Sequence, residues 1–239
     1  MGNAEIRVSP AHVFKGLLAV ICLLTLLSLT SAFFRLYLKN SLHGAVWLFE
    51  VSGDANIPTW YASVTLLFCA LLLLIIGWLR FQEKERHAKY WLSLSGIFVW
   101  LSIDEVAMLH EWSGDLFTVP AARGFLSYGW VVVAIPLVAL IGLYYRRFLQ
   151  SLPVRTRNLF LLAAFVFVGG ALGIEMVNAR LDYTVGYESL AYTLSTAVEE
   201  FCEMLGVAIF IYALLSYLER WVDYPALTVS FASNKCRKY

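Results

Sequence analysis

Six stretches of this chain are apolar over about 20 residues each, which is the length a helix needs to cross a membrane. A bilayer has a hydrocarbon core about 30 Å thick, and a helix rises about 1.5 Å per residue. Because lipid supplies no hydrogen-bond partner for an unpaired backbone, such stretches are expected to be helices. The predicted helices cover residues 13–38, 59–79, 89–110, 125–145, 158–179 and 187–217.

The composition agrees with an integral membrane protein. Hydrophobic residues make up 60% of the chain and charged residues 15%, whereas a soluble domain has about 45–50% and about 25%. The net charge of +1 gives no basis for binding nucleic acid. We therefore predict that residues 1–239 form one all-α transmembrane domain, a six-helix bundle in direct contact with the lipid bilayer.

Basic residues are concentrated in alternate connections and in the tail, 218–239. They are Arg80, Lys84, Arg86 and Lys89, then Arg146, Arg147, Arg155 and Arg157, and finally Lys235, Arg237 and Lys238. Cytoplasmic loops carry the excess of Lys and Arg in membrane proteins. Both termini are therefore predicted to be cytoplasmic, and loops 39–58, 111–124 and 180–186 are predicted to face outward.

The stretch LSIDEVAMLHEWSGD, residues 101–115, places charged groups at the end of the third predicted helix. On a continuous helix each residue turns by about 100°, so Asp104 and Glu111 would share one face. Glu105 and His110 would flank that face on opposite sides. This helix alone predicts one wall of a polar site rather than a complete site.

Two further predicted helices carry acids. The sixth contains TAVEEFCEML, in which Glu199, Glu200 and Glu203 project within an arc of about 100° toward one neighbour. The fifth contains Glu175, which shares a face with Asp182 near the end of that helix. The acids are confined to the third, fifth and sixth predicted helices, and we expect them at matching depth.

The energetic cost of these acids indicates a specific site. One ionised side chain at mid-bilayer costs about 2.5–3.5 kcal/mol, and three would cost about 7–10 kcal/mol, comparable to the stability of a whole domain. The acids must be protonated and hydrogen-bonded in a seam, paired, hydrated or bound to a cation. A cation site is predicted with candidate metal ligands Asp104, His110, Glu111, Glu175, Glu199 and Glu203, and with Glu105 and Glu200 as candidate general bases.

Three functions fit this site. A metal-dependent membrane enzyme acting on a lipid-phase substrate ranks first, with a divalent metal ion as cofactor, because carboxylates and imidazole are metal ligands. A proton- or cation-coupled transporter is the alternative. It is favoured by DEVAML and EEFCEML, which fall at equivalent positions of two inverted three-helix halves. The third is an accessory subunit, or a homodimer, whose acids meet a partner helix.

Small residues in the fifth predicted helix indicate one close helix contact. Gly169 and Gly173 have the spacing of a GxxxG motif, which lets another helix backbone approach.

Three motifs are similar to those of a known group of proteins. DANIPTW, IDEVAMLHE and EEFCEMLG resemble uncharacterised multi-pass inner-membrane proteins of bacteria. The resemblance implies the six-helix topology and a bacterial inner-membrane location, and it implies no activity.

Overall fold

The computed structural model describes residues 9–39, 42–51, 53, 55–116 and 124–221. Within these ranges the regular elements are helices, with no strand. They are α1 (Pro10–Leu38), α2 (Ile57–Gln82), α3 (Ala88–Ala107), α4 (Leu109–Leu116), α5 (Gly129–Ser151), α6 (Val154–Val168), α7 (Glu175–Val185) and α8 (Leu190–Trp221). Two 3₁₀ turns cover Leu42–Leu48 and Gly124–Leu126, and a π-helical segment, Gly169–Ile174, joins α6 to α7.

Five of the helices described are long and apolar enough to cross a membrane. They are α1, α2, α5, α8 and the continuous helix formed by α6, the π segment and α7. The prediction of an all-helical chain with long apolar helices is confirmed.

Helix α8 is the centre of the bundle, because α1, α2, α6, α7 and the π segment all pack on it. It runs antiparallel to α1, as two contacts show. The ring of Phe14 lies 5.7 Å from the ring of Tyr212, whereas Leu24, further along α1, packs in one cluster with Met204. We call the end of the bundle that carries Lys89 and the arginines at the end of α5 and the start of α6 the basic end, and the opposite end the acidic end.

Helices α2 and α3 form an antiparallel pair along most of their length. Ser95 Oγ donates to the backbone oxygen of Ala70 at 2.8 Å, and the hydroxyls of Ser63 and Ser102 are 2.9 Å apart. Gly77 leaves room for the Leu92 side chain, which would lie 2.7 Å from a Cβ at that position. Helix α3 therefore lies alongside α2 from the level of Gly77 to that of Ser63.

Between the two ends, aromatic side chains close the bundle. The rings of Phe98 and Phe210 stack at 4.8 Å, and Phe160 lies 4.6 Å from Phe210. We call these three residues the aromatic plug. Toward the basic end, Trp91 packs on Tyr217 at 4.8 Å, and the neighbouring core is fully buried.

The bounds of several predicted helices differ from those in the structure. The third predicted helix is broken at Met108, which has the left-handed backbone angles φ 51° and ψ 39°. The fifth continues to Val185, so the predicted outward loop 180–186 is mostly helical. The fourth begins at Gly129 and extends to Ser151. Arg146 and Arg147, predicted to lie in a connection, are therefore part of the last turns of this helix.

The predicted close contact at Gly169 and Gly173 is also wrong. A Cβ at either position would meet nothing within 4 Å. The close approach occurs instead at Gly170, where a Cβ would lie 3.0 Å from the backbone oxygen of Glu199, and at Gly206. The π segment widens the helical turn, which changes the side that each glycine presents.

Substituting Gly206 by alanine is expected to destabilise the bundle by about 1–3 kcal/mol, as overpacking of a close contact does. The added Cβ would lie 2.7 to 2.9 Å from the Cβ, N and Cα atoms of Phe167, so backbone would have to move. Gly173→Ala is the matched control and should leave stability unchanged or slightly higher. Thermal unfolding in detergent measures both, and equal effects would contradict the contact.

Candidate functional site

The break after α3 brings Asp104 and His110 together. Asp104 Oδ1 accepts a hydrogen bond from the backbone N–H of His110 at 2.9 Å, and Asp104 Oδ2 lies 3.0 Å from His110 Nδ1. The carboxylate thus satisfies a backbone N–H at the start of α4, as a capping side chain does. Met108 holds a left-handed conformation that costs a non-glycine residue about 1–3 kcal/mol and is common at functional sites.

This arrangement corrects the predicted geometry of the region. Asp104 and Glu111 were expected on one face with His110 turned away, but that holds only for a continuous helix. The helix is interrupted at Met108, which has left-handed backbone angles, and the Asp104 carboxylate therefore contacts the His110 side chain directly. Glu111 lies in α4, and its side chain is outside the part of the structure that is described.

Trp130, in the first turn of α5, connects this pair to α7. Its ring lies edge-on to the His110 ring at 5.0 Å. Its indole N–H donates to Glu175 Oε1 at 3.2 Å. The aromatic side chain therefore lies between the imidazole and the first glutamate of the neighbouring helix.

The π segment sets the position of Glu175. Its wider turn changes the direction in which Glu175, directly after it, projects compared with an unbroken α-helix. Within the segment, a Cβ at Gly170 would lie 3.1 Å from Cys202 Cβ and 3.2 Å from Glu203 Cγ. The missing side chain lets the π segment lie against the turn of α8 that carries the glutamates.

Glu175 and Glu199 form the centre of the site. Their carboxyl groups are electrostatic neighbours across α7 and α8. Asn178 Nδ2 donates to Glu199 Oε2. Glu199 is 6% exposed and Asn178 1%, so water does not solvate them freely. Ionisation of both groups would place two negative charges next to each other in a poorly solvated place, which a proton shared by the pair would relieve.

Three further glutamates surround this pair. Glu203, on the next turn of α8, has Glu200, Glu105 and Glu175 as electrostatic neighbours. All three of these neighbours are half-buried. Ionisation of the whole group would place like charges in one cluster, which protons or a bound cation would relieve. We call Glu105, Glu175, Glu199, Glu200 and Glu203 the glutamate cluster.

In a bilayer whose hydrocarbon core begins at the basic end, helix lengths put the glutamate cluster near the far boundary rather than at the centre. At about 1.5 Å per residue, Glu203 lies about 24 Å along α8 from Glu219. Glu105 likewise lies about 24 Å along α3 from Lys89. A hydrocarbon core about 30 Å thick that begins at the basic end would end just beyond the cluster. The insertion cost is therefore lower than the mid-bilayer value.

Seven of the eight predicted site residues are placed by the structure. Five of them form the glutamate cluster. The Asp104–His110 pair lies beside it, because Trp130 contacts both the His110 ring and Glu175. Across the described ranges, no three His, Cys, Asp or Glu side chains are grouped so that they could hold a metal ion. Several of the predicted metal ligands lie near one another, but those in the described part of the chain are not arranged as the ligands of one metal ion. That they form a metal site stays a prediction.

Sequence reasoning missed a buried ion pair at the acidic end. Glu50, after the first 3₁₀ turn, accepts a hydrogen bond on Oε1 from Arg35 Nε at 2.7 Å, and Arg35 Nη2 lies 2.6 Å from the same oxygen. Glu50 is 1% exposed. The turn is held to α1 as well by Val51 N–H, which donates to Ser28 Oγ at 3.0 Å. The sequence feature that could have indicated this ion pair is Glu50 itself, an acid within an otherwise apolar stretch of the loop.

Three aromatic residues at the site were also missed. Trp130, Tyr128 and Tyr192 lie in predicted spans, where aromatic side chains are ordinary. Nothing in their spacing distinguishes them from residues that face lipid.

Comparison with known proteins gives a family and no activity. A family model described as a domain of unknown function, DUF8692, matches residues 17–218. No curated protein and no solved structure matches the chain.

Proposed function

The chain belongs to the DUF8692 family, whose function is unknown, and we propose from its own residues that it is a proton-coupled cation transporter. The proposal depends above all on the proximity of the Glu175 and Glu199 carboxyls in the seam between α7 and α8, where Glu199 is buried. Such a pair can hold a proton in one state and a cation in another. Intramembrane acids of transporters commonly have these two roles.

A buried oxygen beside the pair supports cation binding. Asn178 Oδ1 makes no hydrogen bond within the described residues, although Asn178 is only 1% exposed. Buried polar atoms without a partner are rare and call for an explanation. When the shared proton leaves, this carbonyl oxygen and the carboxylates would be oxygen ligands of the type that hard cations prefer.

Interrupted helices at the site also favour transport. Helix α3 breaks at Met108, and the π segment interrupts the helix that contains α6 and α7. Both interruptions lie next to the glutamate cluster. Transporters commonly build ion sites where membrane helices are discontinuous, because such places free backbone groups and allow small rearrangements.

The topology that we propose has six crossings with both termini in the cytoplasm. Helix α3 lies beside α2 from Gly77 to Ser63, so it would provide the sixth crossing despite its acids. The excess of Lys and Arg at the basic end assigns that end to the cytoplasm. The glutamate cluster would then face the outer side of a bacterial inner membrane.

The aromatic plug fits one state of alternating access. Phe98 lies about 10 Å below Glu105 along α3, at about 1.5 Å per residue. Below the cluster the core is tightly packed, and Ile211 and Leu214 are 0% exposed. The described state would load its site from the acidic end, and release to the cytoplasm would need the plug to open.

Proteoliposomes with a trapped pH-sensitive dye test the proposal. We expect a gradient of Na⁺, K⁺, Ca²⁺ or Mg²⁺ to drive protons in the opposite direction through the wild-type protein. Glu199→Gln should abolish this movement, because the amide has nearly the same shape as the carboxyl but cannot release a proton. Glu188→Gln, an exposed glutamate at the acidic end, is the matched control and should transport normally.

Two results would overturn the proposal. One is a folded wild-type protein in which none of the four cations moves protons. The other is a Glu199→Gln variant that transports at the wild-type rate. Thermal unfolding of each variant verifies that a loss of transport does not come from a loss of fold.

An acid–base enzyme is the second candidate, and the Asp104–His110 pair favours it. A carboxylate on Nδ1 orients an imidazole and stabilises its protonated form, as in general-base catalysis. The imidazole side chain is 34% exposed, so a substrate from the outer membrane surface could reach it. Glu105 and Glu200 would remain candidate bases in this function, and a divalent metal would remain a candidate cofactor.

A further inference from the structure

A second set of polar side chains leads from the glutamate cluster to the end of α7. Tyr128, directly before α5, donates from its hydroxyl to Asp182 Oδ2 at 3.4 Å. The same hydroxyl lies 3.4 Å from the hydroxyl of Tyr192 in α8. Asp182 is partly exposed. Three elements thus bring two phenols and a carboxylate together on the outer side of the cluster.

These polar side chains continue along α8 from Tyr192 toward the glutamate cluster. Tyr192, Thr196, Glu199 and Glu203 recur every three or four residues, so they lie on one face of the helix. The Thr196 hydroxyl lies beside Tyr192. It is 7% exposed, and within the described residues Oγ1 makes no hydrogen bond of ordinary geometry. A buried hydroxyl in this situation is suited to bind a water that bridges Tyr192 and Glu199.

We propose that Asp182, Tyr128, Tyr192 and Thr196 form the route by which protons travel between the outer aqueous side and the Glu175–Glu199 pair. The inference rests on the proposed function, since it assigns the proton path of that site. A proton bound by Asp182 passes to the Tyr128 oxygen while the Tyr128 proton passes to Tyr192. The Tyr192 proton passes in turn, by way of the water at Thr196, to a carboxylate of the Glu175–Glu199 pair. Each hydroxyl accepts one proton and releases another, so one proton moves and no hydroxyl keeps a charge.

The environment of Tyr128 keeps its hydroxyl protonated, as a relay requires. Burial raises the pKa of the Tyr128 phenol above its usual value, and the nearby Tyr192, Asp182 and Glu175 raise it further. The two 3.4 Å contacts are longer than the usual O–H···O distance of about 2.7–2.8 Å. Proton transfer therefore needs a small closing movement, and the exchange rate should depend on these side chains.

The Asp104–His110 pair does not provide an equivalent path through Trp130. An indole N–H can donate a hydrogen bond but has no lone pair to accept a proton. Trp130 uses this N–H on Glu175, so a proton cannot pass from His110 to Glu175 through the ring. The hydroxyl route has an acceptor and a donor at each step.

Hydrogen–deuterium exchange of the buried carboxyl, followed by infrared spectroscopy of the protein in lipid vesicles, tests the route. The carbonyl band of a protonated carboxylic acid shifts on deuteration, and Glu199→Gln identifies the band of the pair. We expect Tyr128→Phe and Tyr192→Phe to slow the exchange about a hundredfold, the low end of what a positioned proton-transfer group contributes. Tyr183→Phe and Tyr187→Phe, 57% and 64% exposed at the same end, are the matched controls.

The outcomes separate this inference from the proposed function. If the wild-type spectrum contains no band that Glu199→Gln removes, the proposed proton site is wrong. If the band is present but both phenylalanine variants exchange at the wild-type rate, only the route is wrong. Asp182→Asn tests the outer end, where the side chain is partly exposed and folding is not at risk. It should also slow the exchange, and wild-type exchange would contradict the route.

Discussion

Bridging positions 98 and 210 by a short cross-link is expected to abolish cation-driven proton movement completely, while the carboxyl pair keeps its proton. The variant carries Phe98→Cys and Phe210→Cys in a chain whose natural cysteines are replaced. A reducible bifunctional thiol reagent joins the two positions. Two stacked rings fill the space between α3 and α8 there, so a spacer is needed rather than a direct disulfide.

The reason lies in the position of the aromatic plug between the site and the basic end. If the chain is a transporter, the cation must pass the level of Phe98 and Phe210, and a covalent bridge prevents the helices from separating. The glutamate cluster lies about two helical turns away, seven residues from Phe98 to Glu105 and from Phe210 to Glu203, and is not touched by the bridge. Loss of transport should therefore occur without loss of the protonated-carboxyl band.

Reduction of the reagent is the control, since it restores free movement in the same molecules. Transport that continues in the bridged protein would contradict passage through the plug. The same experiment separates the two candidate functions, because an acid–base enzyme using Asp104 and His110 at the outer surface does not need the plug to open.

Much of the site was predictable because burial of charge is costly. Glu105, Glu175, Glu199, Glu200 and Glu203 were expected to converge from three helices, and the structure places them together. Helix periodicity puts the acids of each helix on a limited arc, and this can be read from the sequence. Because lipid solvates polar groups poorly, these arcs are expected to face one another inside the bundle.

The predictions failed where the backbone leaves regular α geometry. A methionine gives no sequence signal for a left-handed residue, so the break at Met108 and the Asp104–His110 contact were not foreseen. The π segment likewise moved the close helix contact from Gly169 to Gly170. Interruptions of this kind depend on contacts with neighbouring helices and are frequent at functional sites.

The ion pair between Arg35 and Glu50 leads to the second prediction. Arg35→Met is expected to lower the stability by about 3 kcal/mol, the low end of the range for breaking a buried pair. Glu50 is 1% exposed, whereas the Arg35 side chain is 22% exposed, so water relieves only part of the loss. Unfolding in detergent measures the effect.

A second substitution distinguishes the buried charge from the loss of packing. Adding Glu50→Gln to Arg35→Met removes the carboxylate that the first change leaves without its guanidinium, and it should restore a substantial part of the lost stability. Glu83→Gln is the matched control, because the Glu83 side chain is 49% exposed and its pair with Arg80 should contribute less than about 1 kcal/mol. A double variant no more stable than Arg35→Met would show that Arg35 acts by packing alone. Recovery would mean that the ion pair, rather than packing, holds the end of the first 3₁₀ turn to α1.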